Sequence, residues 1–274
     1  GIDNLADDGF DVCKADGNNI YVSGSTTFLP NDKRIYVLKL NPFGDTIWTK
    51  TIDLGSSGGE LATAITASAD GGCVITGDAN FAFSIKLDSV GNIIWNRNYG
   101  GFFKQCNDII NTSDGGYIIC GRDGDCSTDC AYVLKIDSSG NLQWQRTYTT
   151  PYVKRFYSIV ETNDISGYVI AGLSKSSVPD TLKGLILKID HDGNEIWEKV
   201  YRISGAANFL SMKKLQNGFV AAGNHVINGT NGSRIFIARF DENGDTIFTK
   251  SIENAYSRNF FYSLSLLLNQ IILG

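Results

Sequence analysis

The sequence predicts an all-β fold, a β-propeller of four-stranded antiparallel blades with five full repeats plus a half blade. Three observations lead there. An apolar burst ending in glycine recurs at Gly24, Gly77, Gly121, Gly172, Gly223 and Gly274, with spacings of 53, 44, 51, 51 and 51 residues. An aromatic residue closes each unit at Trp48, Trp95, Trp144, Trp197 and Phe248, with spacings of 47, 49, 53 and 51 residues. No segment has the periodicity or length of a helix. A self-repeat of this period, made only of short strands and turns, is the signature of propeller blades. The repeats run approximately over 9–55, 56–101, 102–150, 151–203 and 204–252, with a partial unit at 253–274, all in one domain spanning 1–274. The complete fold would have six or more blades.

Each unit resolves into four strands, A to D. Strand A is alternating and polar-tolerant, as in Asn107–Ser113. Strand B is the apolar burst, for example Tyr168–Gly172, and its consecutive apolar residues suit a strand packed on both faces. The A–B link is Asp-Gly-Gly or Asn-Gly, which supplies the positive φ of tight hairpin turns. Strand C carries a recurring cation, Lys39, Lys86, Lys135, Lys188 or Arg239. Its stem is expected to run along the sheet with the charge solvated or paired. The C–D link, as in Asp88–Asn92, fits a type I turn followed by a left-handed glycine. Strand D carries the aromatic, which is expected to fill the gap to the next blade and act as core rather than as a ligand platform.

Composition narrows the function. The formal charge is −5 and there is no basic cluster, so nucleic acid is not an expected partner. No apolar stretch approaches the ~20 residues of a transmembrane segment. The run Leu264–Leu268 followed by Ile271–Leu273 reads instead as strands A and B of a sixth unit. Four of the six cysteines fall in the third unit: Cys106, Cys120, Cys126 and Cys130. Cys106 and Cys120 flank the Thr112–Gly116 turn, where a cross-hairpin bridge is expected, and Cys126 and Cys130 share one loop. Disulfides and an extracellular or cell-surface setting are the favoured reading. The rival is a metal site at Asp123, Asp125 and Asp129, but zinc favours tighter Cys pairs or histidines, and the chain has only His191 and His225. No metal and no cofactor is therefore expected. Sequons at Asn111, Asn228 and Asn231 agree with an exterior location.

The repeat DGGCVITG leading to IKLDSVGNIIW, and DGGYIICG leading to LKIDSSGNLQW, resembles that of secreted repeat proteins of Bacteroidetes-type bacteria. The resemblance covers about Asp11 to Gly274 and implies a propeller, often exported by the type IX secretion route. The Asp-x-x-Gly-x-x-x-Trp half is also similar to the tryptophan-docking repeat of quinoprotein dehydrogenases. Vicinal cysteines are absent, so that similarity supports the fold and not the cofactor.

No phosphate loop, HExxH helix or Gly-x-Ser-x-Gly elbow is present. Most acidic residues sit in turns, where Asp caps its own backbone, and His191 lies in one such turn. Variation points elsewhere. The A–B and C–D turns are short and uniform, whereas the B–C and D–A loops differ between units and emerge at the opposite end of each blade. There, Phe28, Tyr99, Phe102, Phe103, Lys104, Arg122, Tyr152, Lys154, Arg155 and Arg202 have the composition of a recognition surface. The expected function is a non-catalytic scaffold binding a protein or glycan ligand. The alternatives are a glycan-active hydrolase or lyase, and a structural subunit of a surface, adhesion or secretion assembly. In the latter a neighbouring chain or a further segment completes the open half blade.

Overall fold

A computed structural model describes residues 7–29, 32–56, 59–101, 104–124, 126, 129–149, 153–175, 181–201, 206–226, 233–252, 264–267 and 270–273. The chain divides into two compact units, 1–127 with 133–145, and 128–132 with 146–274. Among the described residues there is no α-helix. Five antiparallel meanders of strands A to D follow the five repeats. They are β1 (Asp7–Lys14), β2 (Ile20–Leu29), β3 (Asp32–Leu40) and β4 (Thr46–Ile52); then β5 (Leu61–Ala67), β6 (Cys73–Asp78), β7 (Ala82–Leu87) and β8 (Ile93–Asn98). The third holds β9 (Lys104–Asn111), β10 (Tyr117–Asp123), β11 (Cys130–Ile136) and β12 (Leu142–Tyr148). The fourth holds β13 (Val153–Glu161), β14 (Tyr168–Lys175), β15 (Lys183–Ile189) and β16 (Glu195–Tyr201). In the fifth, strand A is split into β17 (Ala206–Ala207) and β18 (Ser211–Lys214), both paired to β19 (Phe219–Val226), followed by β20 (Ser233–Phe240) and β21 (Thr246–Ile252). A two-stranded pair, β22 (Leu264–Leu267) and β23 (Gln270–Leu273), corresponds to the half repeat.

The strand-B bursts are buried on both faces, as their unbroken apolar runs require. In the first unit Tyr21, Ile35, Ile75, Phe83 and Ile85 form one core against which Trp48 packs. In the second unit Phe209, Met212, Phe219, Phe236 and Phe240 do the same, with Trp197 and Tyr201 against them.

The glycine that ends each burst has a reason the repeat pattern does not reveal. Strand A carries one extra residue opposite it, at Phe10, Thr63, Asn107 and Tyr157 in the first four sheets. Such a bulge drives the strand-A backbone towards its partner. A Cβ on Gly77 would lie 1.8 Å from the Leu61 carbonyl oxygen, and one on Gly172 would lie 2.1 Å from that of Arg155. The fifth sheet breaks at the same place, where the Phe209 N–H turns to the Gly172 carbonyl of the preceding sheet at 3.1 Å. The bulges also join sheets: Asp11 Oδ2 accepts the Ile65 N–H at 2.9 Å, and Thr63 Oγ1 donates to the Cys106 carbonyl.

The bulge at Asn107 corrects one expectation. Cys120 faces Asp108 and Cys106 faces Gly121, so the two cysteines are not cross-strand partners, and both are free, buried thiols. Burial is the main cause that raises the Cys120 thiol well above its ordinary pKa, with Asp108 adding to it. Cys126 and Cys130, by contrast, are disulfide-bonded.

At the other end of the sheets the C–D turns lock onto their neighbours. Asp88 Oδ1 accepts the N–H groups of Val90 and Asn92 at 2.9 and 2.8 Å, and Oδ2 accepts Asn92 Nδ2 at 2.9 Å. Asp137 and Asp190 repeat this cap. The glycine of each turn then serves as a platform for the preceding aromatic: a Cβ on Gly91 would meet the Trp48 ring at 3.3 Å, and one on Gly140 would meet Trp95 at 2.9 Å. Trp48 Nε1 donates to the Ser89 carbonyl at 3.1 Å, and Trp95 Nε1 to that of Ser138 at 3.2 Å. In the second unit Gly244 lies under Trp197 in the same way. The recurring tryptophan is thus an inter-blade filler, as its spacing predicts.

Candidate functional site at the B–C and D–A loops

The residues proposed from the sequence fall into three groups. Phe102, Phe103, Tyr152, Arg202 and Asp125 lie outside the described residues, as does the side chain of Phe28 at the end of β2. Tyr99 is a structural tie: its hydroxyl donates to the Gly140 carbonyl at 3.0 Å, as Tyr148 does to Gly193 at 2.7 Å and Tyr201 to Gly244 at 2.6 Å. All three stand four residues after the blade tryptophan, on the same face of strand D.

The cations of this end are held by carboxylates of the chain. Lys104 begins β9 and Asp123 ends β10, directly across the ladder, and their charged groups lie 3.6 Å apart with both side chains buried. Arg155 at the start of β13 reaches Asp129, with Nε at 2.8 Å from Oδ2, while the Asp129 carbonyl accepts the Lys154 N–H at 2.9 Å. The buried Lys154 ammonium pairs with Glu198. Arg122 is half-buried near Asp78. Burial raises the Asp78 carboxyl, offset in part by the Asn80 N–H, Gln105 and Arg122. Asp123 and Asp129, considered as metal ligands, are engaged by Lys104 and Arg155. Among the described residues no group of three His, Cys, Asp or Glu side chains is placed to hold a metal.

A cavity of about 180 Å3 opens at this end of the second sheet, lined by Asn80, Phe81, Asn98, Gly100 and Gly101. The B–C loop Ala79–Phe81 forms one side. Asn80 takes a left-handed conformation (φ 64°), donates its N–H to Asp78 Oδ1 at 2.9 Å and fixes its amide nitrogen on Ser56 Oγ at 3.1 Å. That leaves Phe81 packed partly against the core and partly towards the opening. The D–A loop forms the other side, where Asn98 Oδ1 accepts the Gly100 N–H at 2.7 Å and both glycines have positive φ. A Cβ on Gly101 would run into the Lys104 side chain, whereas one on Gly100 would meet nothing within 4 Å. The result is a mostly apolar recess with two amides at its rim and room for one large apolar side chain. Sequence reasoning passes over Asn80, Phe81 and Asn98 because the stretch from the burst glycine to the strand-C cation is shortest in this unit, from Gly77 to Lys86. The Asn-Phe pair inside it is the only signal.

Sheets of four antiparallel strands, repeated and packed through their D strands onto the next C–D turn, define a β-propeller. No family model matches the chain, and no curated protein matches its sequence. Similar solved structures include a protein of unknown function from Bacteroides caccae, with a TM-score of 0.56, 11% identity, and 90% of this chain and 82% of that one covered. Sqt1 from Chaetomium thermophilum, solved bound to the N-terminus of the ribosomal protein L10, aligns with a TM-score of 0.55 and 11% identity over 95% of this chain and 78% of that one. Cobalt-substituted apocarotenoid oxygenase from Synechocystis aligns with a TM-score of 0.57 and 11% identity over 98% of this chain, which spans 64% of the oxygenase. At these identities the likeness carries the fold alone.

Proposed function

We propose that the chain is a non-catalytic propeller scaffold that binds a protein segment at the B–C and D–A loops, in a secreted or cell-surface setting. The recess over Phe81 carries this reading. Binding energy in protein interfaces concentrates where an aromatic or aliphatic anchor fills a desolvated pocket with polar groups at its rim. A pocket of this size takes one such anchor, with Asn80 and Asn98 at its rim to bond the backbone of the bound segment. Binding of a protein terminus by Sqt1, a propeller of similar fold, is in keeping with it. The location rests on the Cys126–Cys130 disulfide, a bond that oxidising compartments preserve, and on the resemblance of the repeats to those of secreted proteins of Bacteroidetes-type bacteria.

The test is a displayed random-peptide library panned on the whole chain and on Phe81→Ala in parallel. Peptides sharing one apolar anchor should be enriched on the first and lose at least tenfold in affinity for the second. Equal enrichment on both proteins would sink the site. Fractionation of the source cells checks the location: a cytosolic pool with reduced Cys126 and Cys130 would overturn it.

A further inference from the structure

The turn end of the first unit, uniform in sequence, contains a larger cavity, about 490 Å3, between the second and third sheets. Its origin lies in a difference between two equivalent lysines. Lys39 crosses from the first sheet to the second, donating to the Ser89 carbonyl at 2.9 Å beside Trp48. Lys86 occupies the same position one repeat later, yet it pairs with Asp70 of its own sheet, 2.6 Å away, and crosses only as far as the Tyr117 hydroxyl of the third sheet. The hairpin bonds of the two A–B turns, Ala15 N–H to Asn19 and Ser68 N–H to Gly72, align Asp70 with Gly17. The first repeat has no carboxylate there, so Lys39 is free to reach across. In the second repeat Asp70 and Tyr117 together hold the Lys86 ammonium, and among the described residues Ser138, the equivalent of Ser89, receives the Trp95 N–H from the preceding sheet but no lysine. The space that Lys39 fills at the first junction stays open at the second.

The walls of that space are chemically mixed. Lys86 is nearly buried, whereas the Asp70 side chain is 54% exposed. Asn111 lines the opposite side with its amide nitrogen fixed on Thr66 Oγ1 and the Ala67 carbonyl, at 3.0 and 2.8 Å. The same two bonds occupy the nitrogen that glycosylation at this sequon would need. Ala69 and Gly115 contribute carbon surface, and a Cβ on Gly115 would meet nothing within 4 Å. With Asp16 also on the lining, the formal charge is −1, from two carboxylates and one ammonium. That balance disfavours phosphate and carboxylate ligands. Adjoining donors, acceptors and carbon surface suit a neutral ligand whose hydroxyls alternate with C–H groups.

We propose that this cavity is a carbohydrate site that takes one pyranose ring, the terminal residue of a glycan, with its hydroxyls on Asp70 and Lys86. The site is separate from the recess over Phe81 and lies at the other end of the sheets. The test is saturation-transfer NMR of the whole chain with free glucose, galactose, mannose, N-acetylglucosamine and fucose. At least one sugar should receive transfer. The signal should vanish in Ala69→Trp, which fills the cavity from an exposed turn tip, weaken several-fold in Asp70→Asn, and persist in Phe81→Ala. A glycan array then separates recognition of a chain end from binding of the free sugar alone. No transfer to any sugar from folded wild-type protein would overturn the proposal, as would a signal that survives in folded Ala69→Trp. Displacement of the sugar by equimolar inorganic phosphate would also overturn it, because the charge argument would then be wrong.

Discussion

The Trp95 ring lies over Gly140 so closely that a single methyl group on the glycine would touch it at 2.9 Å, and φ at Gly140 is 78°. One glycine therefore answers two requirements, the left-handed turn and the seat of the neighbouring blade's tryptophan. Replacing Trp95 by alanine should cost about 3–5 kcal/mol. Gly140→Ala should cost about 1–3 kcal/mol from backbone strain and contact with the ring. The double variant should be less destabilised than the sum by more than about 0.5 kcal/mol, because removing the ring removes the clash. Strict additivity in urea denaturation would show that the two residues do not meet.

Tyr99→Phe separates a structural tyrosine from a binding one. Loss of the bond to the Gly140 carbonyl should destabilise the chain by about 1 kcal/mol. Affinity for peptides selected on the Phe81 recess should stay within twofold of wild type. A large loss of affinity with unchanged melting temperature would return Tyr99 to the recognition surface.

Acid should weaken the hairpin turns. Burial raises the Asp114 carboxyl, but Lys135, the Thr112 hydroxyl and the Gly116 N–H outweigh it and bring the pKa down to about 2. At Asp164 the Thr162 and Ser166 side chains bring it to about 2. Both lie below the roughly 3.9 of an unfolded aspartate. Their stabilisation is therefore complete above about pH 4 and lost as the pH falls towards about 2. The melting temperature should drop across that window, and Asp114→Asn should flatten the drop. An unchanged slope in the variant would remove Asp114 from the account.

The thiol inventory is a direct check on the bulged register. Denatured, unreduced protein should titrate as four free thiols, at Cys13, Cys73, Cys106 and Cys120. Native protein should react slowly at Cys73, Cys106 and Cys120, which are buried. A count of two would restore the cross-hairpin bridge.

Gly77→Ala tests the bulge itself. Its methyl group would enter the Leu61 carbonyl, which cannot move without breaking the ladder. A loss of about 3 kcal/mol is expected; a neutral substitution would show that the bulge relaxes.

The blades were readable in the sequence because their determinants are local. A turn glycine, an apolar burst and an aromatic each announce themselves within a few residues, and the turn that Asp88 caps is only five residues long, Asp88–Asn92. The candidate site was not readable, because charge pairing there joins distant segments. Lys104 meets Asp123, Arg155 meets Asp129 and Lys154 meets Glu198 across 19, 26 and 44 positions. In sequence they read as free cations on a loop surface. The Phe81 recess was hidden for the opposite reason: it depends on Asn80 adopting a rare backbone conformation in a loop too short to draw notice. The cavity beside Lys86 needed a comparison of two junctions, since Gly17 and Asp70 align only through their hairpin bonds.

The extra residue in strand A of the first four sheets also acts as a phase change. Because side chains alternate with a period of two, inserting one residue puts the stretch before Thr63 or Asn107 out of step with the stretch after it. The in-and-out pattern of the constant turn end is thereby uncoupled from that of the variable loop end. Substitutions at positions such as Glu60, Lys104 or Lys154 need not respect the alternation that packs Ile65, Ile109 or Ile159. A repeat protein built this way can change one end of its blades while the other end keeps the frame.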